Sequence, residues 1–167
     1  MIDVAYVQRM ARYNRWQNAN LYGAADALPD DERRRERGAF FGSIHKTLSH
    51  LLWGDQIWMS RFSPDVPKPQ AGIPESVSLF PDWDGLKRER VAFDDTMIAW
   101  ADTLDAPALA GDLTWYSGAA KRDLTRPRWI LLTHLFNHQA HHRGQVHCML
   151  TQAGAKPHAT DFTLLPE

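Results

Sequence analysis

An all-α fold is what this sequence predicts: a four-helix bundle with a long crossover between helices 2 and 3 and a short hairpin or extended loop before helix 4. Three observations carry the prediction. Four stretches place apolar residues at the 3–4 step of a helix buried on one face. Residues 64–81 hold five of the ten prolines, plus Gly72, and so separate the second stretch from the third without regular structure. Only residues 112–125 look strand-prone, too little for an organising sheet. With 167 residues and 44% hydrophobic content, the chain fits one domain, 1–167, with a substantial core.

The first helix is expected from about Asp3 to Leu28. Tyr6, Met10, Tyr13, Gln17, Leu21, Ala24 and Leu28 follow the helical step, and Pro29 stops it. The mixed-sign run from Asp30 to Arg37 reads as a solvated connection. The second helix is expected from about Ser43 to Phe62, with Ile44, Thr47, Leu51, Gly54, Trp58 and Phe62 on one face, and Ser63-Pro64 ending it. The third starts near Asp82, a good N-cap, and runs to about Leu104 along Leu86, Phe93, Met97 and Trp100. In 112–125 two short runs flank Ser117-Gly118, as in a small hairpin or an extended loop. Pro127 suits the first turn of the fourth helix, which stops at Gly154 with Pro157 beyond.

Composition bounds the function classes. The net charge of −1 offers no basic patch, which argues against nucleic acid as the main partner. One cysteine, Cys148, excludes an internal disulfide framework and fits a reducing compartment. Met1-Ile-Asp-Val-Ala-Tyr lacks the form of a signal peptide, and no apolar run approaches the ~20 residues of a membrane span. The expected location is cytoplasmic, with no membrane partner. The seven tryptophans read as core anchors.

Five of the eight histidines, His134, His138, His141, His142 and His147, fall on the fourth helix. Residues at i and i+4 stack on one helix face, so His138 and His142 can meet one metal ion without rearranging the backbone. On a wheel of roughly 100° per residue with His134 at zero, the apolar stripe of Leu131, Leu132, Leu135, Phe136, Val146, Met149 and Leu150 centres near ~110°. His142 then lies at ~80° and His138 at ~40°, while His134, His141 and His147 lie ~100° or more from the centre. On the second helix His50 falls within ~60–80° of the apolar stripe, and His45 falls on roughly the opposite face.

His50, His138 and His142 therefore form a candidate three-imidazole site that leaves a coordination position for water or substrate. Zinc, nickel, iron and manganese all accept imidazole, and spacing does not choose among them. A bound ion would lower the pKa of its water toward ~7, or hold a substrate thiol as thiolate. His134 and His141 read as supporting or interface residues, and His147 and His158 as exposed. Asp55 is a candidate acceptor orienting an imidazole, against the plainer role of an ordinary helix carboxylate. Gly144 suggests close approach of another helix or chain. Cys148 reads as a small core residue rather than a ligand.

Three passages then carry a family resemblance: Met10-Ala-Arg-Tyr-Asn-Arg-Trp16, the stretch from Ser43 through His50 and Asp55 to Trp58, and His134-Leu-Phe-Asn137-His138-Gln-Ala-His141-His142-Arg143-Gly144-Gln145. The chain resembles the DinB-like (damage-inducible) family of bacterial four-helix-bundle proteins, a likeness that runs over nearly its whole length. The resemblance implies a divalent metal on His50, His138 and His142, with Asn137 a further pocket candidate, and a homodimer built by packing bundle helices. Relatives in the wider superfamily resemble thiol S-transferases that activate a small thiol such as bacillithiol or mycothiol, or a thiol-dependent isomerase. Three functions compete: a metal-dependent enzyme activating a thiol or a water, a non-catalytic metal-binding stress-response protein, and a DNA-associated factor. Only the family name favours the last, and the near-neutral charge speaks against it.

Overall fold

A computed structural model describes residues 2–166. It is mostly helical, with one small two-stranded sheet. In chain order the elements are α1 (Val4–Asp26), α2 (Asp30–Arg34), α3 (Ile44–Phe62), α4 (Trp83–Asp102), β1 (Asp112–Ser117), β2 (Arg122–Pro127) and α5 (Arg128–Gln152). The four long helices touch in a closed order: α1 packs on α4 and α5, and α3 packs on the same two. Among the described residues no helix is long and apolar enough to cross a membrane.

Capping chemistry sets the helix boundaries. The Asp3 carboxylate accepts the Tyr6 N–H at 2.7 Å, Ser43 Oγ accepts that of Lys46 at 3.3 Å, and Asp82 accepts that of Gly85 at 2.6 Å. At the end of α5 the Ala155 N–H reaches the Leu150 carbonyl and that of Gly154 reaches Thr151, each at 3.0 Å. This doubly bonded stop requires a left-handed residue, and Gly154 has φ +83°. Pro127 ends β2 rather than opening α5.

The inner face of α1 differs from the expected stripe. Gln17 and Leu21 of that stripe are buried, but with them lie Val7, Ala11, Asn14, Asn18, Tyr22 and Ala25, a face offset from Tyr6, Met10 and Tyr13. Two of its positions are asparagines, so hydropathy points to the neighbouring row. The asparagines belong to a polar network that crosses the interior. Arg90 of α4 donates to Asp55 of α3 at 2.8 Å, and its other terminal nitrogen lies 2.8 Å from Asp94. Asn18 donates to Asp94 at 2.9 Å, Gln139 of α5 donates to Asp55 at 2.9 Å, and Arg143 donates to Asn14. All four long helices contribute. This network holds two buried guanidiniums, Arg90 and Arg143, and two buried carboxylates, Asp55 and Asp94, so its formal charges balance. Burial pushes Asp94 above the usual carboxylate range, and the Arg90 charge opposes that push.

Further expectations change. Arg33 is buried rather than solvated: it donates to the carbonyls of Ala25 and Leu28 and lies 4.7 Å from the centre of the Trp83 ring. His45 is buried although it points away from the apolar stripe, because the crossover folds back along that side of α3. Its Nε2 meets the Phe80 carbonyl at 2.7 Å, Ser49 donates to the Ser76 carbonyl at 2.7 Å, and Trp53 donates to that of Ala71 at 2.8 Å. Of the seven tryptophans only Trp53 and Trp83 are buried; the rest are partly exposed. Cys148 is exposed, and no atom approaches a side chain built at Gly144. The hairpin pairs Asp112 with Pro127 through Ser117 with Arg122, and its alternation turns Leu113, Trp115 and Ser117 toward the helices.

Removing one member of a buried ion pair leaves its partner uncompensated, at a cost of about 3–5 kcal/mol, whereas exposed pairs contribute about 1 kcal/mol or less. Arg90→Leu is therefore expected to lower unfolding free energy by about 3–5 kcal/mol in urea titrations. Arg12→Ala, which removes the exposed pair with Asp102, should cost about 1 kcal/mol or less. Similar losses for the two variants would refute this account of the interior.

Candidate metal centre

Helix α3 supplies His50, and α5 supplies His138 and His142 one turn apart. His50 Nε2 and His138 Nε2 are 3.4 Å apart, and the ring centres of His138 and His142 are 4.4 Å apart. One ring nitrogen from each of the three lies within 4.8 Å of the others, so together they can hold a metal ion. His50 and His142 are buried, and His138 is partly so.

Hydrogen bonds fix which ring nitrogens are free. Ser76 gives its hydroxyl proton to the Ile73 carbonyl at 2.6 Å, so it meets His50 Nδ1 at 2.7 Å as an acceptor. His50 Nδ1 then carries the proton, and Nε2 presents its lone pair to His138. His142 Nδ1 faces the Gln145 amide oxygen at 2.8 Å, which likewise leaves Nε2 unprotonated in the neutral ring. His138 Nδ1 is buried with no protein partner among the described residues. That ring is placed by space: a Cβ added to Gly54, one turn past His50, would lie 2.8 Å from His138 Cε1. Phe41 covers the site from outside, its ring centre 3.9 Å from that of His50.

Burial keeps the rings neutral. It lowers the pKa of His50 to about 4 and of His138 to about 3, and the adjacent His142 adds to both shifts. Burial also lowers His142, although its bond to Gln145 opposes the change. Neutral imidazole is the metal-binding form.

The three rings sit at one end of a cavity of about 650 Å³ between α3, the hairpin and the start of α5. Trp53, Trp58, Trp115 and Ile130 form much of its wall, and among the described residues Arg61 is its one arginine or lysine and no carboxylate lines it. A neighbouring hollow of about 900 Å³ shares Phe40 and Phe41 but contains no histidine.

The other sequence candidates divide. His134 lies on the cavity wall, its ring 4.8 Å from that of Trp58. His141, at the cavity edge, is exposed and meets Gln145 at 3.2 Å. Asn137 is exposed and outside the cavity lining. Asp55 touches no imidazole: its two oxygens take Arg90 and Gln139, because five residues along the helix turn it away from His50 into the interior. His147 is half-buried away from the cavity, beside Tyr13 and Arg143, and His158 is exposed. Gly54, Ser76 and Gln145 are absent from the sequence candidates. Gln145, three residues past His142, and Gly54, four past His50, occupy helical spacings that could have found them. Ser76 lies in the irregular crossover and gives no such signal.

Comparisons with known proteins place the chain. The family model described as "DinB family" matches residues 1–167. Protein DinB of Bacillus subtilis (strain 168) is 26% identical over 170 aligned residues, covering 98% of this chain and 94% of that protein. The crystal structure of a DinB-like protein from Bacillus cereus ATCC 10987 is similar at a TM-score of 0.54 and 18% identity, covering 86% of this chain and 90% of that one. At that identity the structural likeness speaks for the fold alone. A match over the full length of the sequence, with a histidine cluster able to hold a metal, makes this chain a member of the DinB family.

Proposed function

We propose that the protein holds one divalent ion on His50, His138 and His142 and is an enzyme that uses it to activate a small thiol, in the manner of an S-transferase, or a water. One observation carries the proposal: two neutral imidazoles, with tautomers set by Ser76 and Gln145, aim Nε2 lone pairs into one small space. A tetrahedral zinc ion with Zn–N bonds of about 2.0–2.1 Å separates its nitrogens by about 3.3–3.4 Å. The 3.4 Å between His50 and His138 fits that spacing. Zinc and nickel are the leading ions, and iron and manganese also accept three imidazoles.

Among the described residues no fourth His, Cys, Asp or Glu joins the group, which favours a position open to the cavity. When bound, the ion would lower the pKa of a water or thiol there and hold the resulting anion. The chain's own part is to fix the rings through Ser76 and Gln145, to exclude bulk water with Phe41 and Trp53, and to seat the substrate among Trp58, Trp115 and Ile130. The protein is read as a single four-helix-bundle domain over 1–167, acting as a homodimer in the cytoplasm. The closed order of helix contacts supports the bundle.

A non-catalytic role, in which the ion only staples α3 to α5, rests on the ligands coming from two helices. The adjoining cavity, of the size that takes small ligands, favours chemistry. Metal-loaded protein assayed with small thiols plus electrophilic acceptors, and with hydrolysable esters, separates the two. Turnover that vanishes on chelation supports the enzyme. A large rise in melting temperature on metal loading, with no turnover across thiols, esters and metals, supports the staple.

Three predictions concern the ion itself. His138→Ala and His142→Ala are expected to lose stoichiometric metal in elemental analysis, while His147→Ala keeps it; full metal content in His142→Ala would refute the assignment. Gly54→Ala should push the His138 ring out of place and weaken metal binding at least about tenfold in competition with a chelator, an energetic cost of about 1.4 kcal/mol. Unchanged affinity would mean that the ring does not ligate.

The pH dependence follows from the lowered imidazole values. In the metal-free fold His50 and His138 stay neutral down to about 4 and about 3, while unfolded histidines take up protons near ~6.5. The unfolded chain therefore binds more protons below pH ~6.5, and metal-free stability should fall as pH drops from there. In the folded protein protons compete with the ion at lower pH than free imidazole would allow. Retained metal, measured after dialysis across pH, should be half lost below pH ~6.5. Half-loss at or above that value would contradict the burial of the rings.

A further inference from the structure

We propose that Arg61 makes the histidine cavity a site for organic carboxylates, with the carboxylate paired to its guanidinium and an apolar body lying along Trp58, Trp115 and Ile130 toward the histidines. The proposal deepens the small-molecule reading and rests on it for its chemical context.

Arg61 lies between two tryptophan rings. It stands in the last turn of α3, with its guanidinium 4.2 Å from the centre of the Trp58 ring and 5.8 Å from that of Trp115. Two aromatic faces hold the cation on the cavity wall. Its guanidinium, with five N–H donors, lies against these two rings, and among the described residues no carboxylate lines the cavity to pair with it. The fully buried arginines behave otherwise: Arg90 meets two carboxylates, and Arg143 donates to Asn14. Partial burial pulls the Arg61 pKa to about 10, which leaves it charged at neutral pH.

Charge across the cavity selects the ligand. Among the described residues no Asp or Glu lines it, and Arg61 is the one arginine or lysine on its wall. A divalent ion on the histidines would add to the same sign. A cationic ligand is therefore repelled, and an anion gains from both ends of the cavity. The planar fork of one guanidinium matches the two oxygens of one carboxylate. A phosphate would call for more donors than this apolar wall provides.

The test uses metal-free protein, so that a carboxylate cannot bind through an ion. Titrating 3-phenylpropanoate and its uncharged analogue 3-phenylpropanamide, with tryptophan fluorescence and calorimetry as readouts, isolates the carboxylate. The wild-type chain should prefer the acid by about tenfold or more, as a charged hydrogen-bonding pair predicts. Arg61→Gln should abolish the preference. Arg61→Lys, which keeps the charge but not the fork, should retain part of it and guards against loss of folding in the glutamine variant. Equal binding of acid and amide, or a preference that survives Arg61→Gln, overturns the proposal. Metal uptake by the same proteins is measured separately. Its failure in the wild type would remove the metal-centre reading while leaving the acid–amide comparison to decide the role of Arg61.

Discussion

Arg90, held between Asp55 and Asp94 in the interior, is the contact on which the rest of the arrangement depends. It belongs to α4, Asp55 to α3, and the other Asp55 oxygen takes Gln139 of α5. Gln139 directly follows His138, and Arg143, which bonds Asn14 of α1, directly follows His142. Helix α5 thus carries two parallel seams at the i, i+4 spacing: Gln139 and Arg143 face the polar interior, and His138 and His142 face the cavity. The Asp55–Gln139 bond sets the register of α3 against α5, which is the register that brings His50 opposite the other two histidines. Apolar packing alone tolerates sliding between helices. A bond between buried polar groups does not, since a shift leaves them unpaired.

Such a network is a poor source of net stability, because ions leaving water lose about as much as they regain from each other. Its value lies in position. The same requirement explains Gly54. Once α3 and α5 are locked together, the His138 ring fills the space that a side chain at 54 would occupy. A helix interior glycine costs roughly 0.5–1 kcal/mol relative to alanine, so the site gives up local helix stability for a close approach of ring to backbone. The unpartnered His138 Nδ1 is consistent with that: its ring is held by shape, whereas His50 and His142 are held by hydrogen bonds.

These facts also explain what could be read from the sequence. The i, i+4 pair and the inward face of His50 follow from helix geometry alone, so the three clustered histidines were legible before any coordinates. So were the cap at Asp82 and the helix starts near Asp3 and Ser43, since capping depends on residues within one turn. The inner face of α1 was not, because Asn14 and Asn18 look like surface residues until Asp94 and Arg143 are known to face them. His45, Arg33 and Ser76 were hidden for a related reason. Each is buried or bonded by a segment far along the chain, and periodicity within one helix carries no information about what folds over it. Asp55 shows the limit of spacing arguments: it lies near His50 in sequence, yet 140° of rotation turns it toward the network instead.

The segregation of charge between the two regions bears on the chemistry. The carboxylates of Asp55 and Asp94 are held in the interior with Arg90, and among the described residues none lines the cavity. An ion on three neutral imidazoles keeps its full double charge, whereas each carboxylate ligand would cancel one unit of it. A more positive ion stabilises a bound hydroxide or thiolate more strongly. Among the described residues Arg61 has no counterion on the cavity wall, so a ligand's own negative charge is what would balance that end of the cavity. The interior network and the cavity are in this sense complementary: Asp55 and Asp94 are bound to Arg90 in the interior, and the histidines border an aromatic-walled space whose described lining carries Arg61 and no carboxylate.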